Sequence, residues 1–460
     1  MLESILRYKR EEVARRKAEV SFEAHLAACS PSDRDFTVAV RDGRPGFILE
    51  VKCASPSAGA IREGRDLTPV IDAYGRHADA ISVLTDTRFF GGSLERLRQV
   101  RDAVRQPVLA KDFILEPYQV AEARRHGADA ILLILAAIDD ATWRDCAGLA
   151  DRLGMAVLTE AHEAPEVGRA VALGAAIIGI NNRDLTTLAV DDGTVRRLAP
   201  RVPADRLVVA ESGLGTRDAV AAARRDADAV LVGSALMREP DIDSAVRRLV
   251  YGRTKICGLT RAEDARAALD AGATHGGLVF VDGSPRRVTP AHAAAVRAGV
   301  PLEWVGLFSG TPPADIARAA VELGLVAVQL YGFDPEATAR VRRALPDGCE
   351  AWAAVRVTSR VPFRDESAAD RLLLDAAREG MLGGSGRRFD WGLLTDRQDR
   401  GEMVLAGGIT ADNVAQAVGL GTWALDLSSG VESAPGQKDA GRLGTFFARR
   451  RRLPGRGDSA

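Results

Sequence analysis

Short β-rich runs alternate with helix-like stretches along the chain, and this alternation limits the possible folds more than any other feature. The stretches between the runs are rich in Ala, Arg, Glu and Asp. Alternating strands and helices indicate βα units around a parallel sheet. Eight runs precede Val250: "FILEVK", "AISVLTD", "VLAKDFI", "AILLIL", "AVLTEA", "IIGIN", "LVVAESG" and "AVLVGSA". Eight βα units within about 250 residues predict a closed (β/α)₈ barrel.

The count starts again after "RRLVYGR". The second set is "TKICGL", "GGLVFV", "EWVGLF", "LVAVQLYG", "EAWAAV", "RLLLDA", "MVLAGGI" and "ALDLSSG". An open doubly wound sheet in one half is the alternative, but the G-x-G-x-x-G fingerprint after a first strand is missing. We therefore predict an α/β protein of two tandem (β/α)₈ TIM barrels, over residues 1–250 and 253–448. The basic, Gly- and Pro-rich end, residues 449–460, is predicted to be a disordered tail.

Composition excludes several classes of partner. The 460 residues contain 62 Lys and Arg against 63 Asp and Glu, so no global positive field would attract nucleic acid or a membrane surface. Five scattered cysteines without C-x-x-C spacing indicate a reducing cytoplasm and no metal site. No segment reaches the ~18 apolar residues of a membrane helix. The first twenty residues are typical of an exposed amphipathic helix. We expect a cytoplasmic protein with small polar ligands.

Two charges interrupt the first strand, "FILEVK". Side chains alternate along a strand, so Glu50 and Lys52 share one face. Alone, the pair is equally consistent with a structural ion pair. Chemistry in barrels, however, sits where the carboxyl ends of the strands converge. Other strands of this half also end in polar groups: Lys111, Glu160, Asn181, Arg183, Glu211 and Ser212. Such a cluster perturbs pKa values and favours general acid and base chemistry.

Glycine and serine residues end the last two strands of each half. Strands seven and eight of barrels often bind phosphate, because free backbone N–H groups and helix starts lie there. Each glycine alone is also explained as a turn residue, but the paired location repeats in both halves. The residues that we expect to bind substrate here are Gly213, Gly233 and Ser234, and then Gly407, Gly408, Asp426, Ser428 and Ser429.

In the second half, Cys257 ends the first strand, where the first half has its charged pair. A buried cysteine is usually inert, but a thiolate here can act as a base if its pKa of about 8.5 is lowered locally. Asp375, at the end of "RLLLDA", is the acid partner across the barrel. Arg286 could hold a carboxylate by a bidentate contact. The loop "GMLGGSGRRFDW", with Gly383 and Gly384, is either a mobile cover of the site or a solvated linker.

The two halves resemble two enzyme families. The first is similar to indole-3-glycerol-phosphate synthase, with "ILEVKCASPS", "KDFI", "LTE", "GINNRDL", "ESG" and "GSALM" in that family's order. The second is similar to phosphoribosylanthranilate isomerase, with "KICGLT", "GLVFVDGSPR", "GGSGRRFDW", "AGGI" and "DLSSGVE". Together they resemble the fused bifunctional enzymes of tryptophan biosynthesis over nearly the whole chain.

The resemblance implies two consecutive reactions and neither cofactor nor metal. The second barrel, an intramolecular oxidoreductase, would carry out an Amadori rearrangement of N-(5-phosphoribosyl)anthranilate. Asp375 would protonate the furanose oxygen and Cys257 would remove the C2′ proton. The first barrel, a decarboxylating carbon–carbon lyase, would convert the product to indole-3-glycerol phosphate with loss of carbon dioxide and water. Lys111 would be its general acid and Glu160 its general base.

The resemblance also implies the remaining contacts of the first site. Lys52 would neutralise substrate charge, and Glu50 would orient it. The other implied residues are Asn181 and Arg183 at the anthranilate end, Ser55 with the glycines at the phosphate, Ser212 in the catalytic set, and Phe90 and Phe113 at the aromatic ring. We expect phosphorylated small molecules as substrates, no nucleic-acid or membrane partner, and a monomer.

Some positions depart from the isomerase pattern. The sequence "QLYG" has Tyr331 where that family commonly has histidine, and "AWAAV" has Ala353 where lysine is often found. Two other interpretations stay open. Barrels that grip phosphate also bind flavin mononucleotide, so one half could be a flavoprotein. One barrel could instead be an inactive scaffold, although the presence of both acid and base pairs argues against it.

Overall fold

The computed structural model describes residues 1–41, 46–56, 59–62, 66–185, 187–376, 388–453 and 455–456. Within them the chain forms two closed barrels of eight parallel strands. In each barrel every strand pairs with the next along the chain, and the last pairs with the first. The prediction of two tandem (β/α)₈ barrels is confirmed. Packing divides the chain into two units, Met1–Val250, to which the chain end from Leu453 also belongs, and Tyr251–Arg452.

The first barrel has eight strands: β1 (Gly46–Val51), β2 (Ala80–Leu84), β3 (Val108–Lys111), β4 (Ala130–Ile134), β5 (Ala156–Ala161), β6 (Ile177–Asn181), β7 (Leu207–Glu211) and β8 (Ala229–Val232). Three helices, Leu2–Glu19, Phe22–Ala27 and Phe36–Arg41, precede β1. The later helices are Thr68–His77, Thr87–Phe90, Leu94–Ala103, Pro117–Arg125, Asp140–Arg152, Ala164–Ala172, Thr194–Leu198, Arg217–Arg224, Ser234–Met237 and Ile242–Tyr251. Leu49 of β1 pairs with Ile81 on one side and Val232 on the other, which closes the barrel.

The second barrel has strands β9 (Thr254–Cys257), β10 (His275–Val279), β11 (Glu303–Ser309), β12 (Ala327–Tyr331), β13 (Glu350–Val357), β14 (Arg371–Ala376), β15 (Val404–Leu405) and β16 (Ala424–Leu427). Its α-helices are Ala262–Ala271, Pro290–Arg297, Pro313–Glu322, Pro335–Ala344, Val414–Gly419 and Ala440–Arg451. Between β14 and β15 the described residues form two 3₁₀-helices, Trp391–Leu394 and Gln398–Glu402, in place of the expected α-helix. Phe389, Trp391 and Leu394 supply the buried apolar side chains of this stretch.

The strands are buried because their apolar side chains fill both the barrel interior and the layer under the helices. Ile48, Leu109 and Leu158, from three strands, pack in one interior cluster. The helices begin at residues suited to that position. Asp139, for example, accepts a hydrogen bond from the backbone N–H of Thr142 at the start of Asp140–Arg152.

At the end of the chain, the described residues differ from the predicted tail. The predicted tail begins at residue 449, but the last helix continues to Arg451, and Arg450 and Arg451 are buried. The stems of these arginines pack like apolar chains, and their charges suit the carboxyl end of a helix. Arg456 donates to the backbone oxygens of Val202 and Arg206. The first helix buries one face, with Ile5, Leu6, Lys9 and Val13, and exposes much of the rest, as an amphipathic helix does.

Candidate active sites

A cavity of about 500 Å³ lies at the carboxyl ends of β1–β8. Its wall includes every residue predicted for the first site: Glu50, Lys52, Ser55, Phe90, Lys111, Phe113, Glu160, Asn181, Arg183, Ser212, Gly213, Gly233 and Ser234. Closure of the barrel brings these residues together from distant parts of the sequence. Glu211 lines the same cavity, although it was not assigned a role from sequence.

The charged pair of the first strand is an ion pair in the cavity wall. Lys52 Nζ lies 2.6 Å from Glu50 Oε1, with side chains 16% and 2% exposed. A Cβ on Gly233 would lie 2.4 Å from the same Glu50 oxygen, so β8 reaches this carboxylate only because residue 233 has no side chain. Glu50 and Lys52 can therefore be both a structural ion pair and part of the site, because Lys52 also lines the cavity.

Lys111 lies between two carboxylates. Its Nζ is 2.6 Å from Glu211 Oε2 and 3.3 Å from Glu160 Oε2. Burial would favour the neutral amine, but the two carboxylates hold the pKa of Lys111 well above its ordinary value. The cluster therefore contains a protonated ammonium group directed at the cavity. A group of this kind can donate a proton to a bound carbonyl oxygen.

His162 gives Glu160 a second cation. Its Nε2 lies 3.2 Å from Glu160 Oε1, and its Nδ1 lies 3.5 Å from Glu166 Oε2. Burial opposes protonation, but the two carboxylates raise the pKa of His162 to about 10. Burial also opposes ionisation of Glu160, yet Lys111, His162 and Asn181 together hold its pKa below the usual range. Sequence reasoning missed His162, although its position two residues after Glu160 at the strand end was a usable signal.

The opposite wall of the cavity is aromatic and apolar. Phe90 and Phe113 lie with ring centroids 6.1 Å apart. Leu2 and Ile5 of the first helix complete this wall. On the polar side, the Asn181 side chain accepts from the Arg183 backbone N–H at 2.9 Å. A planar aromatic ring with a carboxylate substituent therefore has both an apolar wall and a cationic group near it.

The first helix is fixed above the cavity by a buried cation. Lys9 is fully buried, and its Nζ lies 2.8 Å from Asp86 Oδ2, 2.8 Å from Asp112 Oδ1 and 2.7 Å from Glu12 Oε2. Asp112 follows Lys111 directly. Lys9 thus belongs to the buried face of the first helix.

A smaller cavity, of about 60 Å³, lies at the carboxyl ends of the second barrel's strands. Its wall includes Cys257, Arg286, Asp375, Gly407, Gly408, Asp426, Ser428 and Ser429, all of which were predicted for the second site. Gly383 and Gly384 lie outside the described residues. Tyr331 is also part of the wall.

The pKa values of both groups predicted for acid and base catalysis, Asp375 and Cys257, are raised above their ordinary values. Burial raises the pKa of Asp375 to about 6, with a further contribution from Asp426. Burial also raises the pKa of the Cys257 thiol, and the nearby Lys255 and Lys438 offset only part of this rise. The condition set for a thiolate base, a locally lowered pKa, is therefore not met by the protein groups alone, because desolvation outweighs the two ammonium groups.

A hydrogen-bonded chain runs beneath Cys257. Lys255 Nζ lies 2.9 Å from Asp426 Oδ1 and 3.0 Å from Gln329 Oε1. Gln329 Nε2 in turn lies 2.9 Å from the Tyr331 hydroxyl. All four side chains are buried. Lys255 and Gln329 were missed from sequence because they lie inside strands and not at their ends.

Arg286 is held by the protein's own carboxylate. Its Nε and Nη2 lie 2.9 and 2.6 Å from the two oxygens of Glu432. Lys438 Nζ lies 2.6 Å from Glu432 Oε1 and 2.6 Å from the backbone oxygen of Cys257. The bidentate contact expected of Arg286 is thus made within the chain, and it fixes the guanidinium beside the cavity.

Within the described residues, no group of three or more His, Cys, Asp or Glu side chains is arranged to hold a metal ion. No helix in the described part of the chain has the length and apolar character needed to cross a membrane.

Comparison with known proteins gives each barrel a family. The family model "Indole-3-glycerol phosphate synthase" matches residues 2–249, and the model "N-(5'phosphoribosyl)anthranilate (PRA) isomerase" matches residues 254–449. The chain is 45% identical over 448 residues to the "Tryptophan biosynthesis protein TrpCF" of Yersinia pestis, covering 97% of this chain and 93% of that protein.

Two further relatives have the same description. The protein of Vibrio cholerae is 44% identical over 448 residues, covering 97% of this chain and 95% of its own. That of Salmonella typhi is 44% identical over 436 residues, covering 95% of each. The chain therefore belongs to the family of bifunctional tryptophan-biosynthesis proteins in which an indole-3-glycerol phosphate synthase domain precedes a phosphoribosylanthranilate isomerase domain.

Proposed function

We propose that the two barrels catalyse consecutive reactions, with the isomerase barrel supplying the substrate of the synthase barrel. The isomerase barrel converts N-(5-phosphoribosyl)anthranilate to 1-(2-carboxyphenylamino)-1-deoxyribulose 5-phosphate. The synthase barrel converts that product to indole-3-glycerol phosphate, carbon dioxide and water. The observation that supports this most directly is the presence of an acid and base set in each cavity: Lys111 with Glu160, and Asp375 with Cys257.

In the isomerase cavity, Asp375 is the general acid. Its raised pKa leaves a larger protonated fraction near neutral pH than an ordinary aspartate has, and transfer of this proton to the furanose oxygen opens the ring to a protonated imine. Cys257 then removes the C2′ proton, and the electron pair of the broken C–H bond neutralises the imine. Because the protein groups alone raise the thiol pKa, we infer that the cationic imine of the substrate favours the thiolate. Tautomerisation gives the ketone product.

In the synthase cavity, Lys111 donates a proton to the substrate ketone while the aromatic carbon that carries the carboxylate attacks the carbonyl carbon. Loss of carbon dioxide restores the aromatic ring, and loss of water completes the indole. Glu160, which is ionised, accepts a proton in the dehydration. Lys52 faces the anionic substrate, and Glu50 fixes Lys52. Each proton transfer contributes about 10² to 10⁴ in rate.

The remaining predicted residues bind the substrates. Phe90 and Phe113 contact the anthranilate ring, and Arg183 lies near its carboxylate. The phosphate groups bind at the strand ends: Ser55, Gly213, Gly233 and Ser234 in the first barrel, and Gly407, Gly408, Ser428 and Ser429 in the second. Asn181 and Ser212 position the reacting groups, Arg286 faces the carboxylate of the isomerase substrate, and Asp426 holds Lys255.

Two substitutions in the full chain test this proposal. Lys111→Ala should abolish ring closure and leave isomerisation, while Cys257→Ala should do the reverse. The fluorescence of phosphoribosylanthranilate reports isomerisation, and the absorbance of indoleglycerol phosphate reports ring closure. Lys17→Ala and Cys349→Ala, which change residues outside both cavities, should keep both activities. A folded Lys111 or Cys257 variant that lost both activities would contradict the assignment of one reaction to each barrel.

We also propose that the protein acts as a monomer in the cytoplasm on phosphorylated small molecules. Near-balanced charge supports the absence of a nucleic-acid partner. All five cysteines are free, as expected in a reducing compartment. A purified protein without yellow absorbance would exclude the flavoprotein alternative.

A further inference from the structure

The Tyr331 hydroxyl lies at the wall of the isomerase cavity. Tyr331 ends β12, is 5% exposed, and shares this wall with Cys257 and Asp375. A phenol hydroxyl has one proton to donate and lone pairs that accept. The direction of its hydrogen bonds therefore decides what it can offer to a ligand.

The hydrogen bonds of the neighbouring side chains fix that direction. An ammonium group only donates, so the group of Gln329 that lies 3.0 Å from Lys255 Nζ must be its carbonyl oxygen. The amide nitrogen of Gln329 then faces Tyr331, 2.9 Å from the hydroxyl. An amide nitrogen only donates as well, so the Tyr331 oxygen accepts this hydrogen bond.

The Tyr331 proton must therefore point away from Gln329. Within the described part of the chain, no side chain or backbone oxygen accepts it. A buried donor without an acceptor is costly, and such groups in native proteins usually have a reason. Tyr331 lines the cavity, so an acceptor atom of a ligand bound there would complete this series of hydrogen bonds.

We propose that Tyr331 donates a hydrogen bond to a ribose oxygen of the substrate that lies between Cys257 and Asp375. The proposal rests on the proposed function, because it takes the ligand to be the isomerase substrate. The chain from Asp426 through Lys255 and Gln329 makes Tyr331 a donor to the cavity, and the bound sugar supplies the acceptor. Tyr331 is then a catalytic residue, since it touches the substrate beside the reacting atoms.

The phenol remains neutral while it does this. Burial raises the pKa of Tyr331 well above its ordinary value, and Asp375 and Cys257 raise it further. A histidine at the same place would ordinarily titrate near pH 6.5. Tyr331 therefore keeps its donor proton across the range in which the acid and the base work. The other charged groups described around this cavity are Lys255, Asp426, Arg286, Glu432 and Lys438.

Tyr331→Phe is the first test, because it removes the proton and keeps the ring. The kcat/KM of isomerisation should fall about tenfold, the effect of losing one hydrogen bond to the reacting substrate. Ring closure by the same protein, assayed with its own substrate, should not change. Tyr251→Phe is the matched control, since Tyr251 is a buried tyrosine of the same barrel outside the cavity wall.

Gln329→Glu is the second test, because it reverses the direction of the hydrogen bond between residues 329 and 331 and keeps the tyrosine. A carboxylate at 329 accepts from both Lys255 and Tyr331, so the phenol proton turns away from the cavity. Isomerisation should fall about as far as in Tyr331→Phe. The double variant should be no slower than Tyr331→Phe alone, whereas an effect of the added charge would persist without the hydroxyl.

The outcomes separate the inference from the proposed function. If the wild-type protein does not isomerise phosphoribosylanthranilate, both are overturned. If it does, and Tyr331→Phe retains its full kcat/KM, only the inference is overturned. The inference would also be overturned if the fold-losses in kcat/KM of the two single variants multiplied in the double variant. The inference is supported if both single variants lose isomerisation activity and the double variant is no slower than Tyr331→Phe.

Discussion

Glu160 and Glu211 share one lysine, but their pKa values are shifted in opposite directions. Lys111 lies nearer to Glu211, at 2.6 Å, than to Glu160, at 3.3 Å. Burial raises the pKa of Glu211 even so, while Glu160 keeps a low pKa because His162 and Asn181 also contact it. The number of partners, and not the shortest distance, therefore separates the two groups. Carboxylates whose pKa values are pushed apart can take different roles in one reaction.

His162→Gln tests this explanation. The substitution removes a cation from Glu160, so the Glu160 pKa should rise toward its ordinary value. If ring closure needs Glu160 ionised, the acid limb of its kcat/KM profile should move to higher pH. The measurement is the pH profile of the variant against that of the wild type. His292→Gln, at an exposed histidine, should leave the profile in place, and an unmoved acid limb in His162→Gln would show that His162 has no such effect.

Asp375 should titrate well above an ordinary aspartate. Because burial raises its pKa to about 6, the carboxyl should be protonated below that pH and ionised above it. Infrared difference spectra of the wild type against Asp375→Asn would isolate this group. A midpoint near the ordinary value of about 4 would contradict the desolvation argument.

At the scale of elements, the first helix becomes part of the synthase cavity through Lys9. Asp86 follows β2 and Asp112 follows β3, and both carboxylates are buried. Each would be an uncompensated charge without the ammonium group of the helix. The ammonium group of Lys9 therefore offsets the buried negative charge of these two carboxylates, on the same helix whose apolar residues line the cavity.

Lys9→Met should destabilise the first barrel strongly. Removing one partner of a buried ion cluster costs ~3–5 kcal/mol, because the remaining charges stay buried. Ring closure should be lost at a lower urea concentration than in the wild type, while isomerisation should resist urea as before. Lys17→Met is the control, since Lys17 pairs with Glu116 at the surface and such pairs contribute about 0–1 kcal/mol. Equal urea resistance of ring closure in Lys9→Met and Lys17→Met would contradict the role of Lys9.

Lys9 also shows what the sequence could not predict. In a helical pattern a lysine close to other charged residues, here Arg7 and Arg10, indicates a solvated face, and its partners Asp86 and Asp112 are far along the chain. Residues at strand ends, in contrast, were predictable, because the carboxyl ends of all eight strands meet at one face of a barrel. Most site residues at strand ends were therefore found, although His162 was missed, while Lys255 and Gln329 inside strands left no such signal.

At the scale of the whole molecule, the fold was predictable because each βα unit leaves a local pattern and eight of them close one barrel. The chain end was not. A basic, Gly-rich stretch has the composition of a disordered tail, but Arg450 and Arg451 are buried, which only the packed structure reveals. Local composition therefore failed where a tertiary contact determined the outcome.

The proposed monomer can be tested directly. Sedimentation at several protein concentrations should give one species of 48.9 kDa. The near-balanced charge provides little repulsion between copies, so the measurement should be made at more than one ionic strength. A mass that rises with concentration toward twice this value would contradict the monomer proposal.

The wall formed by the first helix has a practical consequence for handling the protein. Met1 and Leu2 themselves line the synthase cavity. A purification tag fused before Met1 would therefore start at the substrate's entrance, and bulky tags there should slow ring closure while sparing isomerisation. Comparison of the two rates before and after proteolytic removal of the tag would give an inexpensive measure of how closely the helix covers the cavity.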